Sequence, residues 1–193
     1  MMARWLRLCL GALIALGAFS AAAVERVPVC FNYGCLAQAE VEFSDDQLDE
    51  LGYSLVVARD AEEERAAISQ AVGRLLGWAG QQAPISADRG GNYADDAVYG
   101  RMDCIDHATT TTRLLGLMER RGWLRFHRVL EPALRSRFLL FQHWSALIEE
   151  TSVDTEDVSH ARYVVDSWFF DNGRPAAVMP LAAWLDGESP NVE

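Results

Sequence analysis

From its amino end the chain runs apolar almost without interruption and then breaks into short alternating and helical patterns. Leu8 to Phe19 is nearly all apolar, preceded by Arg4 and Arg7 and followed by Ala21, Ala22 and Ala23. A basic start, an apolar run and small residues at its end mark an export leader. Residues 1–23 are therefore expected to be a signal peptide, with the mature chain beginning near Val24. The competing reading is an uncleaved anchor, because the stretch from Leu8 to Val24 approaches membrane-spanning length. The small residues at the expected cleavage point favour removal.

Past the leader, Val27-Pro28-Val29 and Ala39 to Phe43 read as short β-type pieces. Ser44 with Gln47 matches a capping box, and Leu48, Leu51 and Leu55 follow at helical spacing. A second helix is expected from the cap Asp60, with Glu63 three residues on and Ile68, Val72, Leu75, Leu76 and Ala79 along one stripe. Gln81 to Gly100 has no sustained period and reads as a loop. From Cys104 to Arg121 the positions Ile105, Ala108, Thr112, Leu115 and Met118 form a helical stripe, and Gly122 stands where a C-terminal cap belongs. Thr109 to Thr112 are poor helix formers, so tertiary packing must hold that stretch.

Beyond Gly122 the period changes. Trp123 to Leu130 alternates as a strand. Arg137 to Glu149 is a longer β-type segment bounded by Pro132 and by the acidic turn Glu149 to Asp157. Tyr163 to Phe170 is a third β-type run, ending at Asp171-Asn172-Gly173, and Pro180 opens a short terminal helix carrying Leu181, Trp184 and Leu185. This order predicts an α+β domain with a central helix packed on an antiparallel sheet. Residues 24–193 are expected to form one domain, with an N-terminal helical part (24–92) and a catalytic core (93–193).

Composition supports one soluble core. The chain has 193 residues, half of them apolar, enough for one domain and too few for two ordinary ones. Its 17 basic residues are all arginine against 28 acids, a net charge of −11, which argues against gripping nucleic acid through its phosphates. Without Arg4 and Arg7 the mature chain carries −13. Charge is uneven: Arg113 to Arg137 holds seven Arg and two Glu, whereas Glu40 to Glu64 holds ten acids and Arg59. The plain expectation is that these regions complement each other or form solvated faces. The alternative is a basic surface that docks an anionic partner.

Export changes the reading of the cysteines, because thiols outside the cytoplasm are oxidised. Cys30 and Cys35 are separated by four residues that include Asn32 and Gly34, so a local disulfide is sterically easy, stabilising by about 2 kcal/mol on the chain-entropy model. A metal knuckle there lacks nearby further ligands. Cys104 is then left unpaired, unless it pairs with Cys30 or Cys35 instead. A leftover thiol in an oxidising compartment is either buried and inert or kept for its reactivity.

Cys104 falls at a helix start, where aligned peptide dipoles favour a thiolate. His143 lies in the apolar run Phe138 to Trp144, and Asp166 lies in Val164-Val165-Asp166-Ser167-Trp168. A carboxylate in such a run is costly to desolvate unless paired. If Asp166 orients the imidazole, its other nitrogen takes the proton from Cys104. Taken singly, each residue has an ordinary structural reading: an inert cysteine, a satisfied core histidine, a strand-end acid. Their ordered combination points to catalysis. His107, three residues after Cys104 on the same helix face, competes as base. A mixed zinc site from Cys104, His107, His143 and Asp166 is a weaker alternative, because the long separations give no knuckle. No metal and no cofactor is expected. Oxyanion donors are sought in the Cys104 backbone N–H, in Gln142, and in the loop residues Asn92, Tyr93 and Tyr99. His127 and His160 read as ordinary strand or loop residues.

Met102-Asp103-Cys104-Ile105-Asp106-His107 before a helix, His143-Trp144 on a strand and Val164-Val165-Asp166-Ser167 on the next resemble the transglutaminase-like superfamily, and more narrowly the bacterial transglutaminase-like cysteine proteinases. The resemblance covers Tyr93 to Phe170. It implies a papain-like, transglutaminase-like core, a catalytic triad of Cys104, His143 and Asp166, and an Asp106 that holds a neighbouring loop from the first turn of the helix. Met102 stands where that family commonly has glycine, and Ser167 where it frequently has proline or asparagine. The N-terminal helices and the cysteine pair have no counterpart in it. The resulting expectation is a periplasmic or secreted thiol hydrolase, a cysteine protease or amidase working through a thioester on a protein or peptide substrate of the cell envelope. It would bind no nucleic acid and have no stable membrane insertion once the leader is cleaved. The alternatives are transamidation on the same triad and a non-catalytic envelope-binding domain.

Overall fold

A computed structural model describes residues 24–91, 98–137, 141–151 and 161–190. The expected leader 1–23, Asn92, Tyr93 and His160 lie outside the described residues. Among the described residues no helix is long and apolar enough to cross a membrane.

The two short β-type pieces extend into a hairpin of β1 (Glu25–Phe31) and β2 (Ala37–Phe43), paired antiparallel with Val27 opposite Val41. Alternation turns Val27, Val29, Phe31, Val41 and Phe43 into the core. Helix α1 (Asp45–Val56) starts on the expected reciprocal cap of Ser44 and Gln47 and buries Leu48, Leu51 and Leu55. Helix α2 (Ala61–Ala79) starts at Asp60, whose side chain accepts the Glu63 N–H, and buries the expected stripe. A 3-10 turn at Pro84–Ala87 breaks the following loop.

Helix α3 (Cys104–Arg120) is central. Its end is a Schellman motif: Gly122 at φ 70° donates to the Glu119 carbonyl and Trp123 N–H to that of Met118. Its buried surface is broader than the expected stripe. Ile105 is 39% exposed and Thr112 is half-buried, whereas Asp106, His107, Thr110, Thr111 and Leu114 are buried beside Ala108, Leu115 and Met118. The reason is that β1 covers α3 from one side and the main sheet from another, and the Thr110 and Thr111 hydroxyls find partners there, while the buried Thr112 Oγ1 has none among the described residues. Thr110 Oγ1 accepts the Cys30 N–H at 2.9 Å, and Thr111 Oγ1 meets Ser167 Oγ at 2.9 Å.

The main sheet is antiparallel in the order β3 (His127–Arg137), β4 (Phe141–Glu150), β5 (Arg162–Asp166), β6 (Ala177–Pro180). The strand expectations need correction, and of the expected Arg137 to Glu149 segment Arg137 closes β3 while β4 starts at Phe141 and ends at Glu150. β3 begins at His127 rather than Trp123 and runs through Pro132, because the register shifts between Leu130 and Ala133 on an edge strand, where a proline costs no ladder bond. Its start is set by the buried carboxylate of Glu64, which accepts the Phe126 N–H at 3.0 Å and lies 2.7 Å from His127 Nδ1. β5 stops at Asp166 instead of reaching Phe170, because Asp166 Oδ1 accepts the Trp168 N–H at 3.2 Å and turns the chain. The four-residue β6, too short to leave a period, was not foreseen. Helix α4 (Leu181–Asp186) follows Pro180 as expected.

The fold is therefore α+β, with α3 against β4, β3 and β5. Val27, Phe43, Leu48, Ile68, Leu75, Leu115, Ile148 and Val165 belong to one apolar cluster, so the amino-terminal elements and the sheet share a core. Leu147, Val164 and Trp184 form a second cluster on the other side of the strands, closed by α4. The arginine-rich stretch is dispersed among local partners. Arg113 donates to the Pro28 carbonyl at 2.8 Å, Arg121 lies 3.8 Å from Asp45, and Arg128 pairs with Glu149.

Gly90, beyond the 3-10 turn, packs against the chain that leaves β5. Its N–H donates to Asp171 Oδ1 at 3.0 Å, and that of Gly91 donates to the Trp168 carbonyl at 3.0 Å. A Cβ on Gly90 would lie 2.3 Å from the Phe169 carbonyl oxygen and 2.6 Å from Phe170 Cα, backbone atoms that cannot swing aside. Gly90→Ala is expected to destabilise the protein by about 1–3 kcal/mol, read as a lower urea midpoint at unchanged m value. A wild-type midpoint would show that this close approach is not rigid.

Candidate active site

The site begins at the start of α3. Asp103 caps the helix, its Oδ1 accepting the N–H groups of Ile105 and Asp106 at 3.0 and 2.9 Å, while Asp106 Oδ2 accepts the Asp103 N–H at 3.2 Å. The remaining acceptor capacity of both carboxylates is taken by the loop between β1 and β2. Asp106 accepts the N–H of Tyr33 at 2.8 Å and of Cys35 at 2.6 Å, and Asp103 accepts that of Gly34 at 2.9 Å. Burial, and then the charge of Asp103, raise Asp106 to about 6 against the opposing pull of these N–H groups.

For three N–H groups to converge on two carboxylates, the loop takes an unusual path. Asn32, Tyr33, Gly34 and Cys35 all have positive φ, at 64°, 67°, 62° and 58°, a region that only glycine enters freely. The Cys30–Cys35 disulfide closes this loop, as the spacing predicted. Asn32 adds two ties: its N–H donates to the Arg101 carbonyl at 2.8 Å, and its Oδ1 accepts the Gly100 N–H at 2.8 Å. The segment leading into Cys104 is thus strapped to the first hairpin. Cys104 itself is a free, partly exposed thiol, not paired with either hairpin cysteine. As the first residue of α3, its N–H has no intrahelical acceptor.

His143 lies on β4 and Asp166 at the end of β5, two neighbouring strands. The pairing of Ala146 with Val165 brings Asp166 toward the His143 end of β4, and His143 Nε2 lies 2.7 Å from Asp166 Oδ2. The ring sits among Trp168, Phe169 and Trp184, with centroids 4.9, 5.6 and 5.7 Å away. Burial, the largest influence, pushes the imidazole toward its neutral form. Hydrogen bonds with Asp166 and with the Cys104 side chain, and the charges of both, outweigh it and raise His143 to about 9. Since Nε2 is engaged by Asp166, Nδ1 is the nitrogen left for the thiol. The structure therefore brings the three sequence-predicted residues to one ring.

The other candidates are placed elsewhere. His107 is buried with both ring nitrogens engaged, Nε2 at 2.9 Å from Asp88 Oδ2 and Nδ1 at 2.8 Å from Ser167 Oγ. It is a satisfied core histidine rather than a competing base, and it has no nitrogen to give to the mixed zinc set. The group of potential metal ligands found among the described residues is Cys30, Cys35 and Asp106, and two of its sulfurs are consumed by the disulfide. Gln142 is exposed on β4, and strand alternation takes its side chain to the face opposite the His143 ring. Tyr99 is exposed and packs edge-on against Phe31 at 5.8 Å.

Several contributors escaped the sequence reading. Asp88, in what read as featureless loop, accepts the Met102 N–H at 2.9 Å through Oδ1 while Oδ2 meets His107. Met102 and Ser167 have local accounts. Met102 is fully buried in the core, and Ser167 bridges His107 and Thr111. Trp184 donates its indole N–H to Asp166 Oδ2 at 3.0 Å. Its only sequence signal was a large apolar residue on a short helix. No protein-family model, curated protein or solved structure matches the chain.

His143 titrates at about 9 in the folded protein, against roughly 6.5 for an unperturbed histidine. Folding therefore favours the protonated ring. The stability this contributes is complete below about pH 6.5 and is lost as the pH rises through about 9. Urea unfolding of wild type and His143→Ala across that range is expected to show a stability difference that shrinks with rising pH. A pH-independent difference would contradict the linkage.

Proposed function

We propose that this chain is an exported thiol hydrolase that cleaves an amide by acyl transfer through Cys104, His143 and Asp166. The observation that carries this reading is the single imidazole that meets Asp166 at 2.7 Å and whose protonation is favoured by both Asp166 and the Cys104 side chain. Because its contacts favour the protonated ring, His143 Nδ1 takes the thiol proton before attack; the Cys104 sulfur then attacks the carbonyl carbon as a thiolate, and the oxygen that gains charge is met by the Cys104 N–H. The imidazolium then gives that proton to the departing amine as the C–N bond breaks, leaving a thioester. Water, losing a proton to His143, hydrolyses the thioester and frees the thiol. Asp166 keeps the ring oriented and stabilises its charge throughout.

Support for the papain-like, transglutaminase-like scaffold is the helix-start cysteine followed by a histidine and an aspartate on adjacent antiparallel strands. The resemblance at Met102 to His107 supplies the substrate class, a protein or peptide of the cell envelope. Periplasmic or secreted residence is supported by the Cys30–Cys35 disulfide and the leader-like residues 1–23. Hydrolysis is preferred to transamidation on the same triad because water alone completes the cycle. The partly exposed Cys104 thiol tells against an inert binding domain.

Iodoacetamide labelling of the folded protein near pH 7 tests this reading. Cys104→Ala is expected to abolish labelling, and His143→Ala to slow labelling of Cys104 by about 10²-fold, the low end of what a positioned base contributes. A wild-type protein that resists labelling while folded, or one whose rate is indifferent to His143, would overturn the proposal.

A further inference from the structure

The carboxylate of Asp166 is 1% exposed and is held by more than its histidine. Oδ1 accepts the Trp168 N–H at 3.2 Å, and Oδ2 is shared between His143 Nε2 at 2.7 Å and Trp184 Nε1 at 3.0 Å. The backbone donor on Oδ1 belongs to the turn that ends β5 and fixes one oxygen. The indole donor on Oδ2 comes from α4, an element remote in sequence, and fixes the oxygen that faces the ring.

Trp184 is itself firmly seated. It is fully buried, its ring centroid lies 5.7 Å from that of His143, and it packs with Leu147 and Val164. Arg135 of β3, opposite His143 in the strand register, places its guanidinium 4.7 Å from the indole centroid and donates to the Trp184 carbonyl at 2.7 Å. The indole therefore touches the acid by hydrogen bond and the base by ring contact, while an arginine holds it from outside. Nothing about a short apolar helix at the end of a sheet requires a donor aimed at that one oxygen. A phenylalanine would fill such a core position without leaving a buried indole N–H to satisfy.

We propose that Trp184 is a positioning residue of the triad, holding Asp166 Oδ2 on His143 Nε2 so that Nδ1 stays directed at the thiol. This rests on the acyl-transfer reading of the site. The charged and titratable groups that face His143 are Asp166 from β5 and Cys104 from α3. The contacts from the turn after β5 and from α4 are the uncharged rings of Trp168, Phe169 and Trp184, and Arg135 reaches the ring's surroundings through Trp184. Loss of the indole donor leaves Oδ2 held by His143 alone, with only the Trp168 N–H on Oδ1 to fix the carboxylate, and weakens its grip on the ring.

The test is the pH profile of Cys104 alkylation by iodoacetamide in wild type, His143→Ala, Trp184→Phe and Arg135→Ala, with thermal melting of each. Trp184→Phe removes the indole N–H. It is expected to lower the neutral-pH rate by about tenfold and to move the profile toward that of an ordinary thiol titrating near 8.5, part of the way to His143→Ala. A merely structural tryptophan would lower the melting temperature and leave the profile of the folded protein unchanged, and that result overturns the inference. Should Trp184→Phe fail to fold, Arg135→Ala decides: a smaller shift in the same direction supports the inference, and a wild-type profile overturns it. Wild type and His143→Ala profiles that coincide would instead remove the triad reading itself.

Discussion

A carboxylate enclosed almost completely by protein is tolerable only when donors converge on it, and that requirement at Asp166 organises the carboxy-terminal half of the molecule. One donor is the backbone N–H of Trp168, which obliges β5 to end in a turn. Another is the indole of Trp184, which obliges α4 to pack across the sheet. The third is the imidazole of His143, whose ring is thereby oriented on β4. Strand length, helix placement and ring orientation follow from satisfying two oxygen atoms. The same contacts favour a positive charge on the histidine despite its burial.

The amino-terminal half solves a different electrostatic problem. Two acids flank Cys104 at the start of α3, where they cap the helix but where burial, and with it two like charges brought close together, raises Asp106 to about 6. The loop after β1 answers this with backbone N–H groups from Tyr33, Gly34 and Cys35 that engage both carboxylates. A run of four left-handed residues is required to aim them, and the disulfide and the Asn32 ties hold that run in place. The first hairpin is thus part of the frame that holds the start of α3 and Cys104. Behind it, Asp88, His107, Ser167 and Thr111 form a buried polar chain that joins the central loop, α3 and the end of β5.

Features set by neighbouring residues were legible in the sequence: the Ser44–Gln47 and Asp60 caps, the glycine after α3, the local disulfide, the hairpin pieces and the opening of α4 at Pro180. The convergence of His143 with Asp166 was legible as well, because polar residues inside β-type runs violate simple burial patterns and must find partners. What escaped depends on distant partners. The stripe on α3 was drawn for a helix buried on one face, whereas two sheets cover this one, and Thr110 bonds to β1 and Thr111 to Ser167 just after β5. Pro132 looked like a boundary because a bulge on an edge strand leaves no local mark. Asp88 and Trp184 gain their roles only from residues that folding brings alongside.

The account turns on the charge and tautomer of one ring. Nitrogen-15 NMR of histidine-labelled protein, with the four histidines assigned by single substitution, reads both directly. The account predicts that His143 gives up its proton near pH 9 and that the neutral ring retains hydrogen on Nε2, the nitrogen facing Asp166. A ring that titrates at or below the ordinary histidine value, or whose neutral form carries hydrogen on Nδ1, would contradict it.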